Sequence, residues 1–343
     1  MKALLLTAPS RLEIADVPCP DVGPHDVQVR VAACGICGSD VHGYDGSSGR
    51  RIPPLVMGHE AAGVVERVGT EVKRFVPGDR VTFDSMFSNP ASWYSRRGLA
   101  HLCDDRRVMG VSCGDYRQHG AFAELVSVPE HIVYRVPDAL SLEHAALIEP
   151  VSIAVHAMRR AVPQLGDSAL VVGAGMIGLL CVQSLRAGGA GLVIASDPDA
   201  TRRERALAAG ADVAVDPEAE NVAERCRELT EGRGTDLAME AVGATGPVNT
   251  AIQSVRKGGV VVLIGNVQPR VEIGLQDVVT RELSLRGTCG SNGEYPACLE
   301  LMARGKIQVA DCITAVDPLE KGPEWFQRLH AREPGVLKVL LHP

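Results

Sequence analysis

The segment from Ala169 to Gly178 constrains the fold of this chain more than any other stretch. Its sequence, ALVVGAGMIG, joins an apolar run with β propensity to three glycines spaced Gly-x-Gly-x-x-Gly, and an apolar helical pattern follows. In a strand–turn–helix with this spacing, Gly173 makes the tight turn, Gly175 lets the backbone approach a pyrophosphate, and Gly178 lets the helix pack closely on the strand. The helix N-terminus then offers unpaired N–H groups to the phosphates.

An acidic residue further along the chain strengthens this interpretation. Asp197 lies 19 residues after Gly178, at the end of a second apolar run over 191–196, where a carboxylate can accept hydrogen bonds from ribose hydroxyls. A strand–helix turn without a ligand is the alternative, and the two features together favour a dinucleotide. The carboxylate predicts NAD rather than NADP because it would repel a 2′-phosphate. Arg202 and Arg203 could receive such a phosphate, but a solvated helix face is the simpler interpretation of them.

Strand-like and helical patterns divide the chain into two parts. Six strand-like runs alternate with helical stretches at 169–172, 191–196, 212–215, 236–240, 259–264 and 283–287. This alternation predicts a doubly wound parallel sheet. The first part is mostly β, with strand-like runs at 2–7, 27–33, 61–68, 80–83 and 121–128. The tail adds helical stretches at 295–304 and 319–330 and a last strand at 336–341.

Length, charge and cysteine spacing limit the class of protein. The 343 residues leave room for about two domains at ~150 residues each. A net charge of −7 argues against nucleic acid or an anionic membrane surface as a partner. The N-terminus shows no secretory signal pattern, and the most apolar window, 168–185, contains the three glycines, so we expect no membrane span. The ten cysteines form no disulfide framework, which predicts a cytoplasmic protein with reduced thiols.

Metal-ligating residue types occur in three short motifs. These are Cys34-Gly-Ile-Cys37-Gly-Ser39-Asp40-Val-His42, Gly58-His59-Glu60 and Ile148-Glu149-Pro150. Cysteine, histidine and carboxylate form the ligand set of a catalytic zinc with an open coordination position. Cys34 and Cys37 could instead be a redox pair or half of a zinc knuckle. The βαβ context of a redox pair is missing around Cys34, and no second Cys-x-x-Cys completes a knuckle.

These motifs occur together in the order and spacing of one enzyme family. The Gly-His-Glu step, the Cys37-x-Ser39-Asp40 motif, the glycine fingerprint and Asp197 make the chain resemble a zinc-dependent medium-chain dehydrogenase/reductase over essentially its whole length. The resemblance is to the branch that holds sorbitol dehydrogenase and L-threonine 3-dehydrogenase. It implies an α/β protein with a GroES-like β domain, residues 1–150 completed by 293–343, and a doubly wound Rossmann domain that binds NAD, residues 151–292.

The resemblance also implies a role for each site residue. The implied zinc ligands are Cys37, His59, Glu60 and Glu149. The implied catalytic residues are Ser39 and His42, which relay the proton, and Glu60. The implied cofactor contacts are Gly173, Gly175, Met176, Ile177, Gly178, Asp197 and Arg202. Either Glu60 or Glu149 is the direct carboxylate ligand, a choice that stays open, and Asp40 would hold the ligating histidine.

The implied activity is hydride transfer from a secondary alcohol to NAD, which gives a ketone, with zinc lowering the pKa of the substrate hydroxyl. Glu149, Glu60 and Ser39 make the site more polar than ethanol needs, which favours a polyol, a sugar alcohol or its phosphate. The alternatives are an L-threonine 3-dehydrogenase or another alcohol dehydrogenase, and, outside enzymes, a nucleotide-binding structural or regulatory protein of the same fold. Cys37 and His59 disfavour a zinc-free quinone reductase. We expect a homo-oligomer, dimer or tetramer.

One departure from the family pattern concerns a second metal. Most zinc members hold a structural zinc through four cysteines, and the corresponding positions here are Asn89, Ser92, Ser95 and Cys103. One thiolate cannot hold that ion, so we expect a single, catalytic zinc per chain. The loop would then be fixed by packing, with Trp93 and Tyr94 as candidates.

A second departure concerns the substrate. Gly43 and Gly290 replace an aromatic residue and an arginine of sorbitol dehydrogenases. Their missing side chains would leave space for a bulkier or phosphorylated substrate. Arg50 and Arg51 lie on the loop leading to His59 and could meet a phosphate, although exposed loop arginines are usually only solvated.

Overall fold

Strands and helices of the computed structural model, which describes all 343 residues, group into two units. The units consist of Met1–Glu149, Tyr295–Ala303 and Val309–Pro343, and of Pro150–Glu294 and Arg304–Gln308. The sequence predicted one unit of 1–150 with 293–343 and another of 151–292. The predicted boundaries lie one and two residues from the observed ones, and the prediction did not assign 304–308 to the second unit. None of the helices combines the length and apolar character needed to cross a bilayer.

The first unit begins with twelve short strands and two helices. The strands are β1 (Lys2–Ala8), β2 (Arg11–Asp16), β3 (Asp26–Gly35), β4 (Leu55–Val56), β5 (Glu60–Val68), β6 (Arg80–Phe83), β7 (Met86–Phe87), β8 (Arg107–Val108), β9 (Val111–Ser112), β10 (Arg117–Gln118), β11 (Leu125–Pro129) and β12 (Val133–Arg135). The helices are α1 (Gly38–Tyr44) and α2 (Leu142–Ala146). The strand predicted at 121–128 starts only at Leu125, because Ala121 and Phe122 donate instead to carbonyls of the irregular segment before β5.

A parallel sheet and the helices between its strands form the second unit. The helices are α3 (Ile148–Ala161), α4 (Met176–Ala187), α5 (Ala200–Ala208), α6 (Val222–Glu228), α7 (Thr245–Ser254) and α8 (Leu275–Thr280). The strands are β13 (Ser168–Val172), β14 (Leu192–Ser196), β15 (Val213–Val215), β16 (Thr235–Glu240), β17 (Val255–Leu263) and β18 (Ser284–Gly287). Their order is β15-β14-β13-β16-β17-β18 with every pair parallel, which confirms the doubly wound sheet. All residues of β13 are buried, as a parallel strand covered on both faces requires.

The C-terminal part of the chain completes the first unit. Its elements are α9 (Tyr295–Ala303), β19 (Ile313–Pro318), α10 (Gly322–His330) and β20 (Lys338–His342). Strand β20 pairs antiparallel with β3 and parallel with β19. The result is a seven-stranded sheet in the order β12-β6-β5-β3-β20-β19, in which β11 also pairs with β3.

An apolar core holds the first unit together and fixes the end of β3. Its fully buried members include Leu4, Val29, Phe122, Phe326 and Leu341. These side chains come from both ends of the chain, and burying each one contributes about 1.5–3 kcal/mol. The core therefore holds β20 against β3 at the point where β3 leads into α1.

Candidate functional site

The junction of β3 and α1 positions the first candidate ligand. Cys37 is the N-cap of α1: its Sγ accepts a hydrogen bond from the Ser39 backbone N–H, and its own N–H donates to Asp40 Oδ2, both at 3.4 Å. This reciprocal capping fixes the partly exposed thiol. Cys34 is fully buried in β3, and burial raises the pKa of its thiol. Cys34 is therefore a core residue and not half of a redox pair.

Three metal-ligating side chains converge here. Ligand atoms of Cys37, His59 and Glu60, called the ligand cluster below, all lie within 4.8 Å of one another. His59 precedes β5 and Glu60 opens it, and both are buried. A Cβ at Gly35, the β3 residue paired with Glu60, would lie 2.2 Å from Glu60 Oε2, so the carboxylate needs a glycine there. A thiolate, an imidazole and a carboxylate are a donor set that fits a catalytic zinc.

Asp40 and Arg51 determine the charge around His59. His59 Nδ1 lies 3.5 Å from Asp40 Oδ2, and Arg51 Nη2 donates to Asp40 Oδ1 at 2.9 Å. Burial by itself would raise the pKa of Asp40, but His59 and Arg51 lower it well below its ordinary value. Burial by itself would lower the pKa of His59, but Asp40 and Cys37 raise it. An ionised carboxylate behind the ring is the arrangement that orients a metal-ligating histidine.

A buried lysine that the sequence analysis missed holds Glu60. Lys338 Nζ donates to Glu60 Oε1 at 2.9 Å, to Glu60 Oε2 at 2.7 Å and to the Ile36 carbonyl at 3.0 Å. The two side chains are only 4% and 1% exposed, so the ion pair is shielded from solvent. The one sequence signal is a lysine inside an apolar strand-like run, and nothing local links it to Glu60, 278 residues away.

Glu149 is outside the ligand cluster. It lies at the start of α3 and is partly exposed. Burial raises the pKa of this carboxyl to about 7; Glu60 also raises it, against the opposite effect of His59 and Lys338. A carboxyl that titrates near neutral pH can both donate and accept a proton. The structure thus brings Glu60, rather than Glu149, next to the thiol and the imidazole.

The two predicted relay residues lie on α1. Ser39 Oγ is 3.3 Å from Cys37 Sγ and accepts a hydrogen bond from Arg51 Nη2 at 3.2 Å. His42 is exposed one turn later, and no hydrogen bond joins its imidazole to Ser39. The helix therefore presents a hydroxyl beside the ligand cluster and a titratable ring to solvent.

The space predicted beside Gly43 is filled, which corrects the sequence analysis. The stem of Arg51 occupies it, since a Cβ at Gly43 would lie 2.3 Å from Arg51 Cγ. Arg51 is 4% exposed and its guanidinium is bonded within the site, so the prediction that it meets a phosphate is wrong. Arg50 is the exposed member of the pair. Gly290 has a φ of +65°, and this left-handed backbone favours glycine whatever the substrate.

The four positions equivalent to a structural zinc site form a polar network. Ser92 Oγ donates to Ser95 Oγ at 2.9 Å and accepts from the Ser95 backbone N–H at 3.1 Å. Burial would raise the pKa of the Cys103 thiol, but hydrogen bonds from Ser92 and from the Asn89 backbone lower it. Hydrogen bonds thus connect positions where other family members place thiolates.

Trp93 and Tyr94, in the loop that contains Ser92 and Cys103, are less buried than predicted. Trp93 is 56% exposed, so the expectation that it packs the loop is wrong. Its ring contacts Tyr94 edge-on at 5.0 Å, and the Arg97 guanidinium lies 3.7 Å from its centroid. A cation–π contact at an exposed site contributes about 0.5–1 kcal/mol. The loop is held mainly by its hydrogen bonds, because most of the Trp93 surface stays in water.

The glycine fingerprint forms the turn from β13 into α4. Gly173 has a φ of +90°, and a Cβ at Gly178 would lie 1.8 Å from the Gly173 carbonyl oxygen, so the fold itself requires both glycines. Apart from Gly175 and its two chain neighbours, no residue has an atom within 4 Å of a Cβ built on Gly175, the N-cap of α4. The fold leaves Gly175 unexplained, whereas a pyrophosphate approaching the helix N-terminus explains it. The turn therefore fits a dinucleotide.

Asp197 is buried at the end of β14, beside this turn. Its Oδ2 accepts from the Ala174 backbone N–H at 2.8 Å, which ties the carboxylate to the fingerprint. Arg203 donates to the Asp197 carbonyl at 2.8 Å and is thus engaged by the fold. Arg202 is 49% exposed and lies 3.7 Å from Asp197 Oδ2. Met176 and Ile177 follow at the partly exposed start of α4.

Comparison with known proteins identifies the family. The profile of the alcohol dehydrogenase GroES-like domain matches residues 23–138, and that of the zinc-binding dehydrogenase matches residues 177–304. The sorbitol dehydrogenase of Bacillus subtilis (strain 168) is 31% identical over 100% of this chain and 97% of the relative. The chain belongs to the zinc-dependent medium-chain dehydrogenase/reductase family.

Solved structures of dehydrogenases are similar to this chain over its whole length. The 2R,3R-butanediol dehydrogenase from Bacillus subtilis matches with a TM-score of 0.90 and 32% identity, over 100% of this chain and 99% of that one. A zinc-binding dehydrogenase from Sinorhizobium meliloti 1021 bound to NADP matches with a TM-score of 0.91 and 32% identity, over 100% and 99%. The predicted GroES-like and Rossmann α/β fold is confirmed. The chain is an enzyme of this family, and the non-enzymatic alternative is set aside.

Proposed function

We propose that this dehydrogenase oxidises a secondary alcohol of a vicinal polyol or sugar alcohol to a ketone, with NAD as hydride acceptor. The observation that carries the proposal is the second carboxyl group, that of Glu149, which lies close enough to the ligand cluster to interact electrostatically with His59 and Glu60. A hydroxyl next to the reacting one can hydrogen-bond to such a carboxyl, and ethanol has none. Sorbitol and 2R,3R-butanediol, after which two similar proteins are named, both carry adjacent hydroxyls.

The ligand cluster is the proposed zinc site. Cys37, His59 and Glu60 would hold the ion, and Glu149 would hydrogen-bond to the second substrate hydroxyl. A phosphorylated substrate ranks lower, because Arg51 is engaged within the site and only the exposed Arg50 could meet a phosphate.

The side chains of the first unit have separate tasks in this reaction. When bound, zinc lowers the pKa of the substrate hydroxyl and NAD accepts the hydride. Ser39 accepts the substrate proton, and His42, an imidazole at the helix surface, releases it to solvent. Because no hydrogen bond joins Ser39 to His42, a third hydroxyl group, called the bridging hydroxyl, has to accept the proton from Ser39 and donate one to His42. Asp40 orients His59, and Lys338 holds Glu60.

The cofactor contacts support NAD over NADP. Asp197 places a buried carboxylate next to the fingerprint, where a ribose hydroxyl can donate and a 2′-phosphate is repelled. Arg203 is already engaged by the Asp197 carbonyl, whereas Arg202 is 49% exposed. Gly173, Gly175, Gly178, Met176 and Ile177 complete the proposed cofactor site.

Separate observations support the proposed metal content, location and assembly. We infer one zinc per chain, because the loop around Cys103 holds a polar network with a single thiol. All ten cysteines are free, which suits the reducing cytoplasm. A homo-oligomer, dimer or tetramer, is supported by the edge strand β18, whose only partner is β17, and by the exposed apolar side chains before it.

A substrate panel tests the proposed activity. Sorbitol, galactitol, their phosphates, 2,3-butanediol, L-threonine and ethanol are assayed at saturating NAD and at saturating NADP, with NAD(P)H absorbance as readout. We expect vicinal polyols with NAD to give the highest kcat/KM, threonine less and ethanol least. Efficient turnover of ethanol without measurable turnover of any vicinal substrate would refute the polyol assignment.

A further inference from the structure

Position 43 cannot carry a side chain while the Arg51 side chain keeps its present position. A Cβ at position 43 would lie 2.3 Å from Arg51 Cγ and 3.2 Å from Arg51 Cβ. Gly43 lies in α1 and its φ is not positive, so its backbone conformation does not demand glycine. The nearest atom outside Arg51 is Ser48 Oγ, at 3.1 Å, and a serine side chain can rotate away. The arginine stem is therefore the main reason for a glycine here.

The Arg51 guanidinium, whose stem passes the space left by the missing side chain of Gly43, contacts two residues of the site. Arg51 Nε and Nη2 donate to Asp40 Oδ1 at 3.2 and 2.9 Å, and Nη2 also donates to Ser39 Oγ at 3.2 Å. Arg51 Nη1 donates to the Arg50 carbonyl at 3.1 Å, so every nitrogen of the fork is bonded. Arg51 and Asp40 are 4% and 0% exposed. One immobilised cation thus contacts both the proposed proton acceptor and the partner of His59.

We propose that Arg51 is a positioning residue for proton transfer and for the ligand cluster, and that Gly43 is present to admit it. The proposal rests on the proposed role of Ser39. The guanidinium donates to one lone pair of Ser39 Oγ, which leaves the second lone pair available to the substrate proton. The hydroxyl's own proton lies toward Cys37 Sγ at 3.3 Å, and it has to turn to the bridging hydroxyl and leave toward His42 as the substrate proton arrives, so that Ser39 stays neutral. The same fork keeps Asp40 in place behind His59.

A merely structural ion pair between Arg51 and Asp40 is the competing explanation. It predicts lower stability when Arg51 is removed, but no change specific to proton transfer. Lysine separates the two explanations, because it keeps a positive charge near Asp40 but lacks the planar fork that bonds the carboxylate and the hydroxyl together.

The first experiment uses the full-length zinc enzyme and the variants Arg51→Ala, Arg51→Lys and, as matched control, Arg50→Ala on the exposed neighbour. The readouts are the rate of zinc loss to a chelator and the solvent deuterium isotope effect on kcat for 2,3-butanediol. For Arg51→Ala we expect zinc loss to accelerate and kcat to fall, each about 10- to 100-fold, with a larger isotope effect. Arg51→Lys should largely restore zinc retention but keep the larger isotope effect. Arg50→Ala should match the wild type.

A double-mutant cycle tests the steric link to Gly43. Gly43→Ala should displace Arg51 and lower kcat as Arg51→Ala does, although alanine favours the helix. The double variant should lose no more activity than Arg51→Ala alone, since the residue displaced by the new methyl group is already absent. Losses that multiply in the double variant would disprove the link.

The outcomes separate this proposal from the proposed function. Zinc loss and isotope effects in Arg51→Ala equal to those of Arg50→Ala would overturn the positioning role. If the wild type oxidised no alcohol of the panel, the proposed function would fail, and the zinc-loss comparison would still decide whether Arg51 supports the ligand cluster. Circular dichroism monitors the folding of each variant. If Arg51→Ala does not fold, the results for Arg51→Lys and Gly43→Ala decide whether Arg51 has the positioning role.

Discussion

Two buried ion pairs surround the ligand cluster. Asp40 is paired with Arg51, and Glu60 with Lys338, and all four side chains are less than 5% exposed. Each acid is needed near the proposed metal, and each base offsets a negative charge that burial would otherwise make costly. Removing one member of such a pair leaves an unpaired buried charge, at a cost of about 3–5 kcal/mol.

Lys338→Met should therefore lower the free energy of unfolding by about 3–5 kcal/mol, because Glu60 loses its partner in a low-dielectric site. Denaturant unfolding of the full-length protein, freed of zinc by a chelator so that no ion offsets the charge of Glu60, measures this. The control is Lys306→Met, which removes an exposed lysine and should change little. Adding Glu60→Gln to Lys338→Met should recover part of the loss, and no recovery would argue against the pair as its cause.

Asp197→Ala should reduce the preference for NAD over NADP by about tenfold or more, because a hydrogen bond to a charged group contributes about 1.5–3 kcal/mol. The ratio of kcat/KM for the two cofactors measures the change. Arg202→Ala serves as a comparison: it should leave NAD kinetics nearly unchanged and weaken NADP further. A wild-type enzyme that prefers NADP would contradict the assignment of Asp197.

At the scale of residues, local sequence motifs pointed to the proposed site residues, whereas the contacts that Lys338 and Arg51 make with them were not predicted. Cys37, Ser39 and Asp40 share a helical turn, so spacing alone associates them. Lys338 reaches Glu60 only because β20 pairs with β3, and Arg51 reaches Asp40 only because Gly43 leaves room. Contacts of this kind depend on the tertiary fold, which local patterns do not encode.

At the scale of elements, the parallel sheet was more predictable than the β unit. All six strands of the second unit overlap their predicted positions, because buried parallel strands are continuous apolar runs. Strand β17 begins at Val255, earlier than predicted, since Val255 pairs with Thr235 before an irregularity that precedes the next pair, Leu237 with Val260. Two-residue strands such as β4 and β7 are too short to show any periodicity. Strands β2 and β19 were missed although they are longer.

One carboxylate ties three strands of the parallel sheet. Asp236 of β16 accepts from the Ser168 backbone N–H at 2.8 Å and from its hydroxyl at 2.7 Å, and Arg256 of β17 donates at 2.7 Å. Burial would raise the pKa of Asp236, but hydrogen bonds from Arg256 and Ser168 lower it. A lowered folded-state pKa means that the stabilisation is complete above the unfolded-state pKa and is lost as pH falls through the folded-state value.

Asp236→Asn should consequently lower the free energy of unfolding by about 1–3 kcal/mol at pH 7, because the charged acceptor is lost. The difference between variant and wild type should shrink as pH falls below about 4, where the unfolded carboxyl becomes protonated. Urea unfolding at pH 7 and at several acidic values measures both. A difference that did not change with pH would show that the charge of Asp236 contributes nothing.

At the scale of the whole molecule, the second unit exposes an apolar edge. Strand β18 has one partner, and Leu275 and Val279 of α8 are 66% and 64% exposed, with Val267, Val271 and Ile273 also exposed nearby. Exposed apolar side chains near the open edge of a sheet are typical of an interface.

The double variant Leu275→Glu/Val279→Glu should therefore convert the expected oligomer to monomers, because a second copy could not bury four added charges. Light scattering coupled to size exclusion measures the mass. Leu165→Glu, at a 90% exposed position elsewhere in the second unit, is the matched control and should leave the mass unchanged. A wild-type monomer would refute the expected assembly.

The central claim is that Cys37, His59 and Glu60 hold the single zinc of this dehydrogenase. Elemental analysis of protein purified without added metal, performed in parallel on wild type, Cys37→Ser and Cys103→Ser, tests it most directly. The claim predicts one zinc per chain in the wild type and in Cys103→Ser, and none in folded Cys37→Ser. Two zinc ions in the wild type, or zinc retained by Cys37→Ser and lost from Cys103→Ser, would contradict it.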